Sequence, residues 1–165
     1  MRVVFMGNPE FAIPTLKLLQ KSRHKILAVV SNKPKRMGRG KTFKHTPVGE
    51  YAKENNLKLL EPARLNEKGF INELKKMKAD IFLVVAYRIL PSEIIKIPVY
   101  GAVNLHVSLL PKYRGAAPIQ WALMNGDKET GVTIFQISEK VDTGEILTQE
   151  KVPIFDDDNM LSLGT

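Results

Sequence analysis

Two spacings of apolar residues alternate along the chain. Residues 2–6, with Val3, Val4 and Phe5, form a β-branched and aromatic run that Gly7 ends, which predicts a strand. Asn8 then offers an N-cap and Pro9 fits a first helical position, where no amide donor is needed. Phe11, Leu16 and Leu19 give the following helix an apolar face to about Gln20, with Pro14 constraining its first turns. Residues 25–31 predict a second strand. Thr46 and Pro47 repeat the cap-plus-proline start for a helix to about Asn55, and residues 57–60 a short strand. Residues 67–78 are plainly amphipathic, with Phe70, Ile71, Leu74 and Met77 at helical spacing and lysines at the C-terminal end, where the helix dipole favours them. Residues 81–86 are continuously apolar, as in a strand buried on both faces. A strand at 100–108, a short helix at about 117–125 and strands at 131–137 and 145–152 follow. Asp156-Asp-Asp-Asn159 opens a last helix.

Strands alternating with helices imply an α/β fold: a right-handed, doubly wound, Rossmann-like sheet, mostly parallel, with helices on both faces. The helix-poor stretch near the end makes part of that sheet antiparallel, so the sheet is mixed. At 165 residues the chain fits one domain with a real core. Ligands of open α/β sheets bind beyond the carboxyl ends of the strands. No dinucleotide fingerprint marks such a site here. Gly7-Asn-Pro-Glu-Phe11 lacks the glycine spacing, and Gly38-Arg-Gly40 lies in a polar connection with no strand directly before it.

Composition narrows the chemistry. The chain has no cysteine and three histidines, His24, His45 and His106, none close in sequence to another. That argues against a thiolate nucleophile and against a metal site. The longest apolar run is far too short to span a bilayer, and the N-terminus reads as a strand rather than a signal peptide. A cytoplasmic protein with no membrane partner is the expectation. The formal net charge of +8 is concentrated in one place. Residues 33–44 hold six cations, two glycines, a proline and no acid. Such a run suits a polyanion, although solvated basic surfaces are common. It cannot bury apolar surface, and fixing each residue would cost ~1–2 kcal/mol. The expectation is a connection that orders only on phosphates.

Chemistry is concentrated later. In Gly101-Ala-Val-Asn104-Leu-His106, residues two apart on a strand face the same way, so Asn104 and His106 project together. His106 also falls near the end of its strand. Val141-Asp142-Thr-Gly144 supplies a carboxylate. An amide donor, an imidazole and an acid are a sufficient kit for acyl-type transfer: one polarises a carbonyl, one moves a proton, one orients the imidazole. Taken alone, Asn-x-His reads first as a satisfied core amide beside a surface histidine, and Asp142 first as a turn aspartate before Thr143-Gly144.

Longer stretches carry a resemblance. Asn104-Leu-His-Val-Ser-Leu-Leu-Pro-Lys-Tyr-Arg-Gly-Ala-Ala-Pro-Ile119, Thr130-Gly-Val-Thr-Ile134, Asp142-Thr-Gly-Glu-Ile146 and the opening Val4-Phe-Met-Gly-Asn-Pro-Glu-Phe11 resemble the formyltransferases that use 10-formyltetrahydrofolate. With Gly38-Arg-Gly-Lys41, the likeness is strongest to members whose acceptor is initiator methionyl-tRNA. The resemblance covers nearly the whole chain. It implies catalytic roles for Asn104, His106 and Asp142, and a folate site lined by Ser108, Leu109, Leu110 and Pro111 with Tyr87 and Leu90. It also implies a tRNA-entering segment carrying Lys35, Arg36, Arg39, Lys41 and Lys44. Tyr87-Arg-Ile-Leu-Pro91 departs from the family's Tyr-Gly and longer segment, where the pterin is wrapped.

By this resemblance residues 1–165 are a truncated catalytic domain. The family's chains continue through the rest of that domain into a C-terminal barrel-like domain that helps hold tRNA. The implied protein is a monomeric transferase of translation initiation, with 10-formyltetrahydrofolate as co-substrate and no metal. Rival readings are a formyltransferase for a small amine such as glycinamide ribonucleotide or an amino sugar, a non-catalytic RNA-binding module on a Rossmann-like core, and a nucleotide-dependent oxidoreductase, which the missing glycine fingerprint disfavours.

Overall fold

The computed structural model describes residues 1–37 and 42–164, and the backbone packs as two compact units, Met1–Ala102 and Val103–Thr165. The first unit holds β1 (Arg2–Gly7), a 3₁₀ turn at Glu10–Ala12, α1 (Ile13–Lys21), β2 (Lys25–Val30), β3 (Lys35–Met37) and β4 (Thr42–Lys44). It continues through α2 (Pro47–Glu54), β5 (Leu59–Leu60), α3 (Lys68–Met77), β6 (Ile81–Val85) and α4 (Ser92–Ile95). Its main sheet runs β5-β2-β1-β6, every pair parallel. β1 is an interior strand, paired on both sides: Val4, Phe5 and Met6 are fully buried, which its uninterrupted apolar run anticipates. Leu16 of α1, Val48 of α2 and Leu74 of α3 are equally buried.

Several termini follow the expected chemistry. The Thr46 hydroxyl accepts from Gly49 N at 3.0 Å and Pro47 opens α2. α3 stops at Lys78, which takes the left-handed conformation. Asn8 is a correction. It does not cap α1, which begins at Ile13 with Ala12 as its cap residue and Pro14 in its first turn. Its side chain instead accepts from Asn32 N (2.9 Å) and Ser31 Oγ (3.2 Å). The Ser31 hydroxyl donates to Gly7 O at 2.8 Å. The residues after β1 and β2 are thereby joined by side chains. Pro9 leads into the 3₁₀ turn at Glu10–Ala12 before α1 begins.

A second correction concerns the basic connection. Its flanks are not free loop: β3 and β4 pair antiparallel, with Lys35 opposite Lys44, Arg36 opposite Phe43 and Met37 opposite Thr42. The Arg36 guanidinium lies 5.2 Å from the centre of the Phe43 ring, a cation–π contact that gives a polar ribbon its packing. Arg39 and Lys41, with the Gly38-Arg-Gly40 stretch, lie outside the described residues. The helix α4 was not foreseen, being a single turn started after Pro91.

The second unit holds β7 (Ala102–His106), α5 (Pro118–Met124), β8 (Glu129–Gln136), β9 (Ile146–Pro153) and α6 (Met160–Leu163). β7 pairs antiparallel with β8, and β8 with β9, as the scarcity of helices there suggests. α6 is opened by Asn159, whose side chain accepts from Leu161 N and Ser162 N while the Ser162 hydroxyl accepts from Asn159 N, a reciprocal capping box. No helix among the described residues is long and apolar enough to cross a membrane.

Candidate active site

The second unit brings the three candidate residues into one geometry. In the β7–β8 pair Asn104 stands opposite Phe135 and His106 opposite Thr133. Directly opposed residues share a face, so Asn104 and His106 project from the same side, above buried Phe135 and Thr133. His106 is the last residue of β7 and only 7 % exposed, so its ring is held by what surrounds it. The Asp142 carboxylate reaches it from the turn before β9: Oδ2 is 3.8 Å from His106 Nδ1. Asn104 is half-buried.

The turn that presents Asp142 has a demanding backbone. Asp142 has φ 50°, a left-handed conformation that aspartate tolerates better than most residues. Gly144 follows because any Cβ there would lie 1.5 Å from Gln136 O. Asp142 is therefore a turn aspartate and a partner of His106 at once. Its Oδ2 accepts from Gly115 N at 2.8 Å, and its main-chain carbonyl accepts from Arg114 Nε at 3.1 Å. The segment Arg114-Gly115 thus holds the acid by two hydrogen bonds.

The imidazole's direct hydrogen bond is to another group. His106 Nε2 lies 2.8 Å from the main-chain oxygen of Tyr113. A carbonyl can only accept, so Nε2 carries a proton, and Nδ1 is the nitrogen facing Asp142. At 3.8 Å the Asp142 contact is electrostatic rather than a hydrogen bond. The direct hydrogen bond on the ring is therefore with the Tyr113 main chain, and Asp142 stands at ion-pair distance from the other nitrogen.

Ser108, Leu109, Leu110 and Pro111 follow directly after β7. Ser108 is fully buried, its hydroxyl donating to Lys112 O at 2.6 Å, so it staples the loop rather than offering a free hydroxyl. Leu110 is buried, Leu109 half-buried and Pro111 exposed, after a cis Leu110–Pro111 bond. The Thr133 hydroxyl, fully buried, holds this loop from β8: it donates to Ser108 O (2.6 Å) and accepts from Leu110 N (3.1 Å). Gln149 of β9 donates to both Thr133 Oγ1 and Leu110 O, each at 2.9 Å. His106, Thr133 and Gln149 form one row across three strands. Neither Thr133 nor Gln149 was anticipated, although alternation along β8 does place Thr133 on the face of a buried ladder. Gly131 is required two residues earlier: a Cβ there would meet Glu150 O at 2.1 Å and Leu109 Cδ2 at 2.6 Å.

Tyr87 and Leu90 belong to the first unit, on the segment after β6. Leu90 is buried and Tyr87 half-buried. Arg88, also unanticipated, ties this segment down, donating to Pro62 O (3.0 Å), Ala63 O (3.2 Å) and the Tyr87 hydroxyl (2.7 Å). Burial pushes the Tyr87 phenol up, against the pull of that guanidinium. Lys35, Arg36 and Lys44 stand on the β3–β4 ribbon. Among the described residues no group of His, Asp and Glu is arranged to hold a metal ion.

Comparison with known proteins agrees with this architecture. Solved structures share the fold: phosphoribosylglycinamide formyltransferase of Bacillus halodurans matches with a TM-score of 0.78 over 99 % of this chain and 85 % of that one, at 24 % identity. The enzyme of the same name from Anaplasma phagocytophilum gives 0.80 over 99 % and 78 %, at 22 % identity. The fold is thus the mixed, mostly parallel, Rossmann-like α/β fold of formyltransferases. The family model described as formyl transferase matches residues 1–165, and the chain belongs to that family. It is similar to the methionyl-tRNA formyltransferase of Prochlorococcus marinus, 46 % identical over 99 % of this chain and 50 % of that protein. It is equally similar, at 46 % identity, to the protein of that name from Caldanaerobacter subterraneus, covering 99 % of this chain and 53 % of the relative. The chain spans about half the length of these relatives.

Proposed function

We propose that these residues form the catalytic part of an enzyme transferring the formyl group of 10-formyltetrahydrofolate to the free amine of initiator methionyl-tRNA. The observation that carries this is the meeting of Asn104, His106 and Asp142 on one face of the β7–β8 pair and its adjoining turn, in a chain 46 % identical to methionyl-tRNA formyltransferases. The amine nitrogen attacks the formyl carbon directly. The carbonyl π electrons move onto oxygen, and the bond from carbon to the folate nitrogen then breaks. The amine loses a proton and the folate nitrogen gains one, so no covalent enzyme intermediate is needed. Asn104 donates to the oxygen as negative charge develops there. His106 in its protonated form adds to that field, and Asp142 supports the cation and takes part in moving the proton.

In this reading Ser108, Leu109, Leu110 and Pro111, with Tyr87 and Leu90, line the folate site. Lys35, Arg36, Arg39, Lys41 and Lys44 meet tRNA phosphates, and the protein works as a cytoplasmic monomer. The two phosphoribosylglycinamide formyltransferases compared above, at 24 % and 22 % identity, share only the fold, so they do not favour a small-amine acceptor. The test is formyl transfer by the full chain from 10-formyltetrahydrofolate to methionyl-tRNA, glycinamide ribonucleotide and an amino sugar in parallel. Formylmethionyl-tRNA alone is expected. Transfer only to a small amine, or none to any acceptor, would overturn the reading.

A further inference from the structure

The group that fixes His106 sits outside the three candidate catalytic residues, and it is itself held in an unusual conformation. Tyr113 has φ 55°, a left-handed backbone uncommon for a bulky aromatic residue. That conformation is what turns its carbonyl to His106 Nε2 at 2.8 Å. Something must hold it, and the side chain does. The Tyr113 hydroxyl donates to Asp127 Oδ2 at 2.8 Å and accepts from Asn125 Nδ2 at 2.8 Å, so donor and acceptor capacity are both used. Lys112 completes the anchor, its ammonium 3.0 Å from the same carboxylate and 5.5 Å from the centre of the Tyr113 ring. Asn125 and Asp127 follow α5 directly, and Asp127 N donates to Ala122 O. The phenol is therefore tied to a helix end rather than to another loop.

We propose that Tyr113 is a positioning residue for formyl transfer: its carbonyl keeps the His106 proton on Nε2, and its phenol, anchored on Asp127 and Asn125, keeps that carbonyl in place. The consequence is a division of labour on the imidazole. Nε2 is committed to the main chain, so only Nδ1 can gain or lose a proton, and Nδ1 is the nitrogen facing Asp142. The charged groups around the ring agree with this. Asp142 faces Nδ1, Arg114 is held on the Asp142 carbonyl, and Lys112 and Asp127 pair with each other on the far side of Tyr113. On β8, directly opposite His106, stands uncharged Thr133. Without Tyr113 the ring could present either nitrogen to Asp142. The same loop would then satisfy the fold but leave the proton on the wrong side for part of the population.

The kinetic arm of this inference rests on the proposed function; the spectroscopic arm does not. With nitrogen-15-labelled histidine in the full chain and no substrate, His106 should show its ring proton on Nε2 in the neutral form. That proton should exchange with water far more slowly than those of His24. Tyr113→Phe keeps the carbonyl but removes the anchor, and should admit the Nδ1-protonated form and speed the Nε2 proton's exchange about tenfold or more. Asp127→Ala should act in the same direction and Asp127→Asn, which can still accept from the phenol, should largely rescue. In turnover, Tyr113→Phe should lower kcat by about tenfold, with KM for the formyl donor nearly unchanged. A wild-type proton on Nδ1 would overturn the proposal whatever the variants do. So would an exchange rate and tautomer that neither Tyr113→Phe nor Asp127→Ala alters. If the tautomer behaves as expected while no acceptor is formylated, the proposed function fails and this device stands.

Discussion

Asn104 and His106 were legible as a pair because a strand imposes a two-residue period, and the period held: both stand on the face that carries Thr133 and Phe135 across the ladder. Asp142 needed more than spacing, since a turn aspartate before glycine looks the same whether or not its carboxylate meets a histidine. In the proposed function these three residues act on the reacting atoms, directly or through His106, so alanine at any of them should nearly abolish formyl transfer while the protein stays folded. For Asn104 the loss in kcat should be about 10²–10³, the usual worth of one oxyanion donor. Steady-state kinetics beside circular dichroism checks this, and near-wild-type turnover in one variant would remove that residue's role. Thr133 illustrates a different kind of importance. Its single hydroxyl serves Ser108 O, Leu110 N and Gln149 Nε2 in a fully buried position. Thr133→Val conserves shape and leaves buried main-chain groups of Ser108 and Leu110 unpaired. Denaturant unfolding should show a loss of roughly 1–3 kcal/mol. A stability change within about 0.5 kcal/mol, the scale of an ordinary surface substitution, would show the loop is held by other means.

At the scale of elements, the anchor after α5 gives a pH dependence whose sign can be worked out. The hydrogen bond from Tyr113, and then that from Lys112, holds the Asp127 carboxyl below the usual carboxylate range. A lowered folded-state value means that the ionised form is favoured by folding. Its contribution to stability is present above the ordinary aspartate value and is lost as pH falls through the lower folded value. Melting temperature followed from neutral to acid pH should therefore fall less steeply in Asp127→Asn than in wild type. Identical acid limbs would mean that the pair contributes nothing there. Elements also show where sequence reading stopped. Long periodic segments such as α3 and the apolar runs of β1 and β6 were read to within a residue or two at each end, because burial dictates their pattern. Asn8 was misassigned as a helix cap because cap chemistry and loop-tying chemistry use the same side chain; only the fold brings Ser31 and Asn32 within its reach. The β3–β4 ribbon is not legible in the sequence because three-residue strands, Lys-Arg-Met and Thr-Phe-Lys, are too short to show an apolar alternation. Tyr113 escaped notice for a similar reason: its function is exercised through a carbonyl, which every residue possesses.

For the whole molecule the question is where the +8 charge is spent. The ribbon places Lys35 directly opposite Lys44, and like charges facing each other across an antiparallel pair are destabilising. Arg36 is drawn onto Phe43 beside them, although Phe43 remains 66 % exposed. The facing lysines cost the free protein stability, whereas a polyanion laid along the ribbon would turn mutual repulsion into shared attraction. If the polyanion is the tRNA of the proposed function, each phosphate neutralised contributes about 0.7–0.9 to the slope of log affinity against log salt. Replacing Lys35 and Lys44 together with glutamine should lower the slope by about one to two, weaken binding at low salt and leave binding of the formyl donor unchanged. The same double change should not destabilise the protein, since it removes a repulsive pair. The two outcomes separate an electrostatic role from a structural one: an unchanged salt slope would mean the tRNA does not lie on this ribbon. A lowered melting temperature would mean that the lysine stems, rather than their charges, hold the ribbon in shape.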